Sequence, residues 1–292
     1  MYHLRIENSF ISVQISETGG EITSVRGADG VEYIWQGDAT YWAGRSPHLF
    51  PVIGRMFGDK YTLSGKTYKI GRHGFFRHRE MRLAECGVKY LMLRMDSDED
   101  TYKEYPYKWD AELEYSLDGP TLRIAFRVTN LGRKKMYFAY GGHPGFFVPL
   151  SHCGAFEDYY LQFEPSASPF EIGLSPNGLV DGRETEYALN KGNRLHMRRS
   201  LFNNDTLILR DAGESIMLKS NLDPHSVTVG FPQSQFLAIW QAPRTDAPYL
   251  CVEPWTSLPG REGVVENLAQ KEDMICLNTH CTYQNDWTLT FA

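Results

Sequence analysis

Short runs rich in β-branched and aromatic side chains, each cut off by a turn dipeptide, fill nearly the whole chain. Such a run cannot bury its apolar side alone and must pair with neighbours in a sheet. Residues 4–7, 10–15, 21–26 and 32–35 read as strands, with Asn8-Ser9, Gly19-Gly20 and Ala28-Asp29-Gly30 between them. Further runs lie at 60–63, 66–70, 78–84, 88–95, 108–117, 121–129 and 134–140. Asp118-Gly119 and Asn130-Leu131-Gly132 are hairpin signals. Beyond these come 159–163, 201–209, 215–219, 226–229, 236–241, 249–252, 274–277, 279–283 and 287–291. The acidic stretch 96–100 reads as a solvated loop with at most one capped helical turn. No heptad, repeat or linker interrupts the rhythm, which predicts an all-β antiparallel fold with residues 1–292 in one domain.

The 292 residues suffice for a core without staples. A net charge of −6, spread along the chain, offers no basic patch for nucleic acid and no draw towards an anionic membrane. Aromatic residues reach 13%, which suits strands and also a carbohydrate cleft. Cys86, Cys153, Cys251, Cys276 and Cys281 show no CxxC spacing and read as buried, reduced thiols. The opening Met1-Tyr-His-Leu-Arg-Ile-Glu7 lacks an apolar leader core, and no apolar run is long enough to span a membrane, so a cytoplasmic protein is expected.

Glu253 closes the apolar run 249–252 and precedes Pro254, which has no N–H for a ladder. This predicts a carboxylate held at a strand end. Trp255 can wall off one side and cover a sugar ring face. A surface Glu with a core Trp is the plainer alternative. His143 follows paired glycines, and Pro144 restricts it to extended backbone. His73 sits before Gly74 in a turn, where a His is also often just a loop residue bonded to backbone. Arg55 lies in the long irregular stretch 37–56, free to meet a hydroxyl-rich ligand or a structural carboxylate. Asp205 precedes an apolar run, where a turn-forming Asp is the plainer reading.

Phe50-Pro-Val-Ile-Gly-Arg55, His73-Gly74, Gly142-His-Pro-Gly-Phe146, Asn204-Asp-Thr-Leu207 and Glu253-Pro-Trp255, in that order, resemble the aldose 1-epimerase (galactose mutarotase-like) family, with the bacterial LacX-like branch the nearer match. The resemblance implies a large antiparallel β-sandwich of the galactose mutarotase-like kind, a sugar cleft, and no metal or organic cofactor. It implies Glu253 as the base at the anomeric hydroxyl and His143 as the acid at the ring oxygen, on opposite sides of the C1–O5 bond. Arg55, His73 and Asp205 match positions that hold hydroxyls and the ring oxygen. The expected partner is a small-molecule sugar, bound by a monomer or homodimer. Aromatic richness without a phosphate loop points to a free hexose. A hexose-6-phosphate 1-epimerase would instead need Arg45, Arg72 and Arg77 to converge. A non-catalytic sugar-binding module, or a glycosidase using Glu253 with Asp205, completes the alternatives.

Overall fold

Alternation becomes register in the hairpin Trp109–Asp118 with Thr121–Asn130, which turns at Asp118-Gly119. Trp109, Ala111, Leu113, Tyr115 and Leu117 all point into the core, as a period of two requires. In the computed structural model, which describes residues 4–151 and 154–292, this hairpin lies within a nine-stranded sheet. The order is Arg194–His196, Tyr159–Phe163, Ser215–Ser220, Ser226–Gly230, Thr282–Phe291, Thr121–Asn130, Trp109–Asp118, Tyr90–Asp96 and Arg82–Cys86. An eight-stranded sheet runs Val180–Glu186, Phe170–Leu174, Leu207–Arg210, Phe236–Trp240, Tyr249–Trp255, Gly141–Gly142 and His48–Leu49, with Gly145–Phe147 also pairing to Tyr249–Trp255. Leu4–Glu7, Ile11–Ile15 and Ile22–Gly27 form a third, three-stranded sheet.

Leu113, Phe126 and Trp287 of the nine-stranded sheet share one apolar core with Leu237, Ile239, Leu250 and Val252 of the eight-stranded sheet. The two sheets thus form a sandwich. Strand makes up 47% of the structure and helix 7%, so the fold is all-β as expected. The other face of the eight-stranded sheet carries two smaller clusters, around Phe236, Ala238 and Trp255 and around Trp35, Tyr249 and Cys251. The site lies between them.

Several local expectations are corrected. Residues 32–35 form only isolated bridges, because the Glu32 carboxylate itself takes the N–H groups of Val25 (2.8 Å) and Ile34 (3.1 Å). The acidic stretch becomes a helix, Glu99–Glu104, where Asp98 accepts from the Thr101 N–H (2.7 Å) and the Thr101 hydroxyl accepts from the Asp98 N–H (2.8 Å). The runs 279–283 and 287–291 fuse into Thr282–Phe291. Cys251 is buried, but Cys86, Cys276 and Cys281 are exposed, and all four are free; Cys153 lies outside the described residues. Among the described residues no helix is long and apolar enough to cross a membrane.

A buried carboxylate pins the fold far from the site. Asp223 accepts from the Ser151 N–H (3.0 Å) and hydroxyl (2.8 Å), from the Tyr159 hydroxyl and from the His225 N–H (2.9 Å). Burial pushes its pKa up, yet these donors outweigh it and hold the carboxyl far below its usual range. His225 is raised by Asp29, against burial, and by Asp223. Asp223 therefore adds stability above its unfolded value of 3.8, lost as pH falls further, and His225 adds stability below 6.5, lost as pH rises through its folded value. Asp223→Asn should cost at least about 1–3 kcal/mol. Urea melts at several pH values check this, and the deficit should shrink below pH 3.8.

Candidate active site

The strand carrying Glu253 does not stop there. Tyr249–Trp255 is wholly buried and continues through Pro254, correcting the expectation of a strand end. On one side Leu237 pairs with Pro254 and Ala238 with Glu253. On the other, Gly145 pairs with Cys251 and Gly141 with Trp255. That edge pairs at Gly141 and Gly145, and Gly142, opposite Pro254, makes no ladder pair with it, so the missing N–H of Pro254 is tolerated. The same register sets His143 directly opposite Glu253. Its Nε2 lies 3.2 Å from the Glu253 Oε2.

The glycines around His143 now have a reason. A Cβ on Gly141 would come 2.7 Å from the Trp255 ring, and one on Gly145 would come 2.9 Å from the Trp42 ring. Both glycines share a sheet face with His143, so bare backbone lets two indoles close in beside it. Trp42 stacks on the imidazole at 4.9 Å with 24° between planes. Trp240 meets it edge-on at 5.8 Å. Trp255 is 97% hidden, with His73 at 6.1 Å.

This packing sets the charges. Glu253 is 1% exposed. Burial first, then the Asp205 carboxylate, raises its pKa well above the usual carboxyl value, opposed by the Trp255 indole. Burial also lowers His143 to about 3, and the Arg77 and Arg72 guanidiniums push the same way. Both shifts favour the uncharged forms, a protonated carboxyl beside a neutral imidazole.

His73 is brought to the same place. Its backbone is left-handed (φ 62°), its Nδ1 accepts the Gly54 N–H at 3.1 Å, and its ring is 5.6 Å from His143. Burial, then His143, Arg77 and Arg72, holds it neutral. Its proton is therefore on Nε2, which is left to donate. Asp205, also left-handed (φ 85°), accepts the Trp240 indole N–H at 2.9 Å. Asp205 and Trp240 line a cleft of about 820 Å³ together with Arg72, Asn204, Arg183 and Arg244. The Arg55 Nε lies 3.8 Å from the Asp59 carboxylate, and both side chains are exposed.

Trp42, Trp240, Arg183 and Arg244 are additions to the residues singled out from sequence. Trp240 looked like an ordinary strand aromatic, and nothing local marks an arginine as facing a cleft. Cys251, His143 and Glu253 hold ligand atoms within 4.8 Å of one another, a set that could take a thiophilic divalent ion. No metal was expected, and the set is invisible to HxH or HExxH spacing because cross-strand register creates it.

A family model described as aldose 1-epimerase matches residues 2–267. The chain belongs to the aldose 1-epimerase family. Within it, the chromosomal LacX protein of Lactococcus lactis subsp. lactis is 30% identical over 287 residues, covering 94% of this chain and 96% of that protein. A galactose mutarotase related enzyme from Lactobacillus acidophilus has a TM-score of 0.94 at 31% identity, covering 100% of this chain and 97% of that one. A galactose mutarotase-like protein from Lactobacillus casei ATCC 334 also has a TM-score of 0.94, at 30% identity with 100% of both chains covered. The epimerase fold expected from the ordered motifs is therefore the fold observed.

Proposed function

We propose that this aldose 1-epimerase family member interconverts the α and β anomers of a hexose through the Glu253–His143 pair. The 3.2 Å approach of two buried titratable groups carries the reading. O1 and O5 of a pyranose are bonded to the same carbon, so a base and an acid in contact reach both from one side, rather than from opposite sides of the C1–O5 bond. Proton transfer from Glu253 to His143 gives the working carboxylate and imidazolium. Glu253 takes the O1 proton, the O1–H electrons form the C1=O1 bond, and the C1–O5 pair goes to O5, which takes the His143 proton. The C1–C2 bond rotates, and the reverse transfers close the other anomer. His73 donates to a sugar oxygen, Asp205 accepts from hydroxyls, and Trp42 covers an apolar face, with the buried Trp255 closing off the floor beside Glu253.

Each group contributes roughly 10²–10⁴-fold. That is enough for a reaction water already performs slowly. The test is anomer exchange by NMR on free and phosphorylated aldoses, beside an aryl glycoside. Exchange above the buffer rate without phenol release supports an epimerase. Binding without exchange on any aldose would leave a sugar-binding module, and phenol release a glycosidase. Because only protons move, EDTA should leave the exchange rate unchanged; a metal-reversible loss would count against the scheme.

A further inference from the structure

The epimerase reading leaves one part of the cleft unused. Arg72, Arg183 and Arg244 line it beside Asp205 and Trp240. Arg183 is held by Asp181 at 2.6 Å. Among the described residues, Arg72 and Arg244 have no carboxylate partner. Arg244 sits in left-handed backbone (φ 58°), as do Asp205 and His73. A non-glycine residue held there costs of order 1–3 kcal/mol, a strain that clusters where side chains are aimed at ligands. A Cβ on Gly178 would lie 3.4 Å from the Asp205 Oδ2 and 4.0 Å from the Arg72 Nη2, so Arg72 reaches the wall that Asp205 occupies. With Arg183 held by Asp181, Asp205 is the carboxylate in this lining beside Arg72 and Arg244. Arg77 instead donates to the Arg72 carbonyl (3.2 Å), and Arg45 lines a separate small cavity with Gln14 and Glu32.

We infer that Arg72 and Arg244 form an anion subsite, and that the substrate is an aldose bearing a phosphate or carboxylate remote from its anomeric carbon. This rests on the epimerase reading and replaces the expectation of a neutral sugar. That expectation followed from the lack of a phosphate loop; here the fold assembles the cations from separate segments instead. Guanidinium is suited to both anions through paired N–H donors. The subsite also bears on the chemistry. Arg77 and then Arg72 disfavour a charged His143, so an anion bound at Arg72 that offsets part of that charge favours the imidazolium that the reaction needs. The charged group should then raise kcat as well as lower KM.

The experiment measures NMR anomer exchange at low ionic strength for glucose and galactose, their 6-phosphates, and glucuronate and galacturonate. The wild-type protein is compared with Arg72→Gln and Arg244→Gln. At least one charged aldose should exceed its neutral counterpart in kcat/KM by roughly 10²-fold, and each variant should shrink that ratio by about tenfold or more, in line with an energy of 1.5–3 kcal/mol for a charged hydrogen bond. The favoured arm tells phosphate from carboxylate. Good turnover of neutral sugars with no charge preference, or a preference the variants leave intact, overturns the subsite while leaving the epimerase standing. If no aldose exchanges, the epimerase reading falls. Titration of the same charged sugars then decides the subsite alone: affinity lost in Arg72→Gln and Arg244→Gln supports it, and equal affinity rejects it.

Discussion

Glu253→Gln should lower kcat by roughly 10²–10⁴-fold and at the same time raise the melting temperature at neutral pH. The amide keeps the shape of the carboxyl but cannot take a proton from O1. Turnover falls for that reason, with less change in sugar affinity. The stability gain has a separate cause. In the folded protein the Glu253 pKa lies well above its ordinary value of 4.5, so the folded state keeps a proton that the unfolded chain releases. A raised value contributes stability below 4.5 that is lost as pH climbs through the folded value. Glutamine does not titrate, so the variant's advantage should grow as pH rises. His143→Asn should show a similar rate loss. His143 is depressed to about 3, so the folded state refuses a proton that the unfolded chain takes up below 6.5, and that variant should gain most at acid pH. The activity profile of the wild type should be a bell that belongs to the pair. Its acid limb marks a second proton and its alkaline limb the loss of the first. Scanning calorimetry and exchange rates on the same samples test both halves.

The second large effect concerns Gly74→Ala. Gly74 has φ 71°, and a Cβ there would lie 2.1 Å from the Phe50 carbonyl oxygen and 2.7 Å from the Pro51 ring. The left-handed penalty is about 1–2 kcal/mol. Overpacking against backbone adds about 1–3 kcal/mol, giving roughly 2–5 kcal/mol in all. The damage reaches function because Gly74 directly follows His73, whose N–H bonds the Gly54 carbonyl at 2.7 Å. A shift of about 1 Å in a positioning group costs on the order of 10²-fold in rate. Gly65→Ala is the control. Gly65 has φ 76° but nothing within 4 Å, so it should show the conformational penalty alone and keep its activity. Denaturant melts of both variants give the comparison, and equal losses would refute the steric argument.

The longer strands were legible where alternate residues are buried. The alternation in Trp109–Asp118 announces both its element and its buried face. Val180–Glu186 was missed because nearly every residue of it is exposed, so Asp-Gly-Arg-Glu-Thr-Glu carries no apolar period. Gly141–Gly142 and His48–Leu49 are too short to show one. In the site, His143 and Glu253 were visible as titratable groups beside glycine and proline. Their contact was not, because it follows from a register between segments far apart in the chain. Proline misled about Glu253: the ladder rule assumes two continuous neighbours, and here one neighbour is broken opposite it. For Arg55 the sequence is silent in another way, since a guanidinium after glycine does not announce which acceptor it will meet. The cleft arginines come from separate segments, and only the fold makes them neighbours.

The most direct measurement is magnetisation transfer between the anomeric protons of an exchanging aldose, with wild-type protein and Glu253→Gln at matched folded concentration. The wild type should drive exchange in proportion to its concentration, and the folded variant should leave it near the buffer rate. Exchange by folded Glu253→Gln at close to the wild-type rate would contradict the assignment of Glu253 as the base.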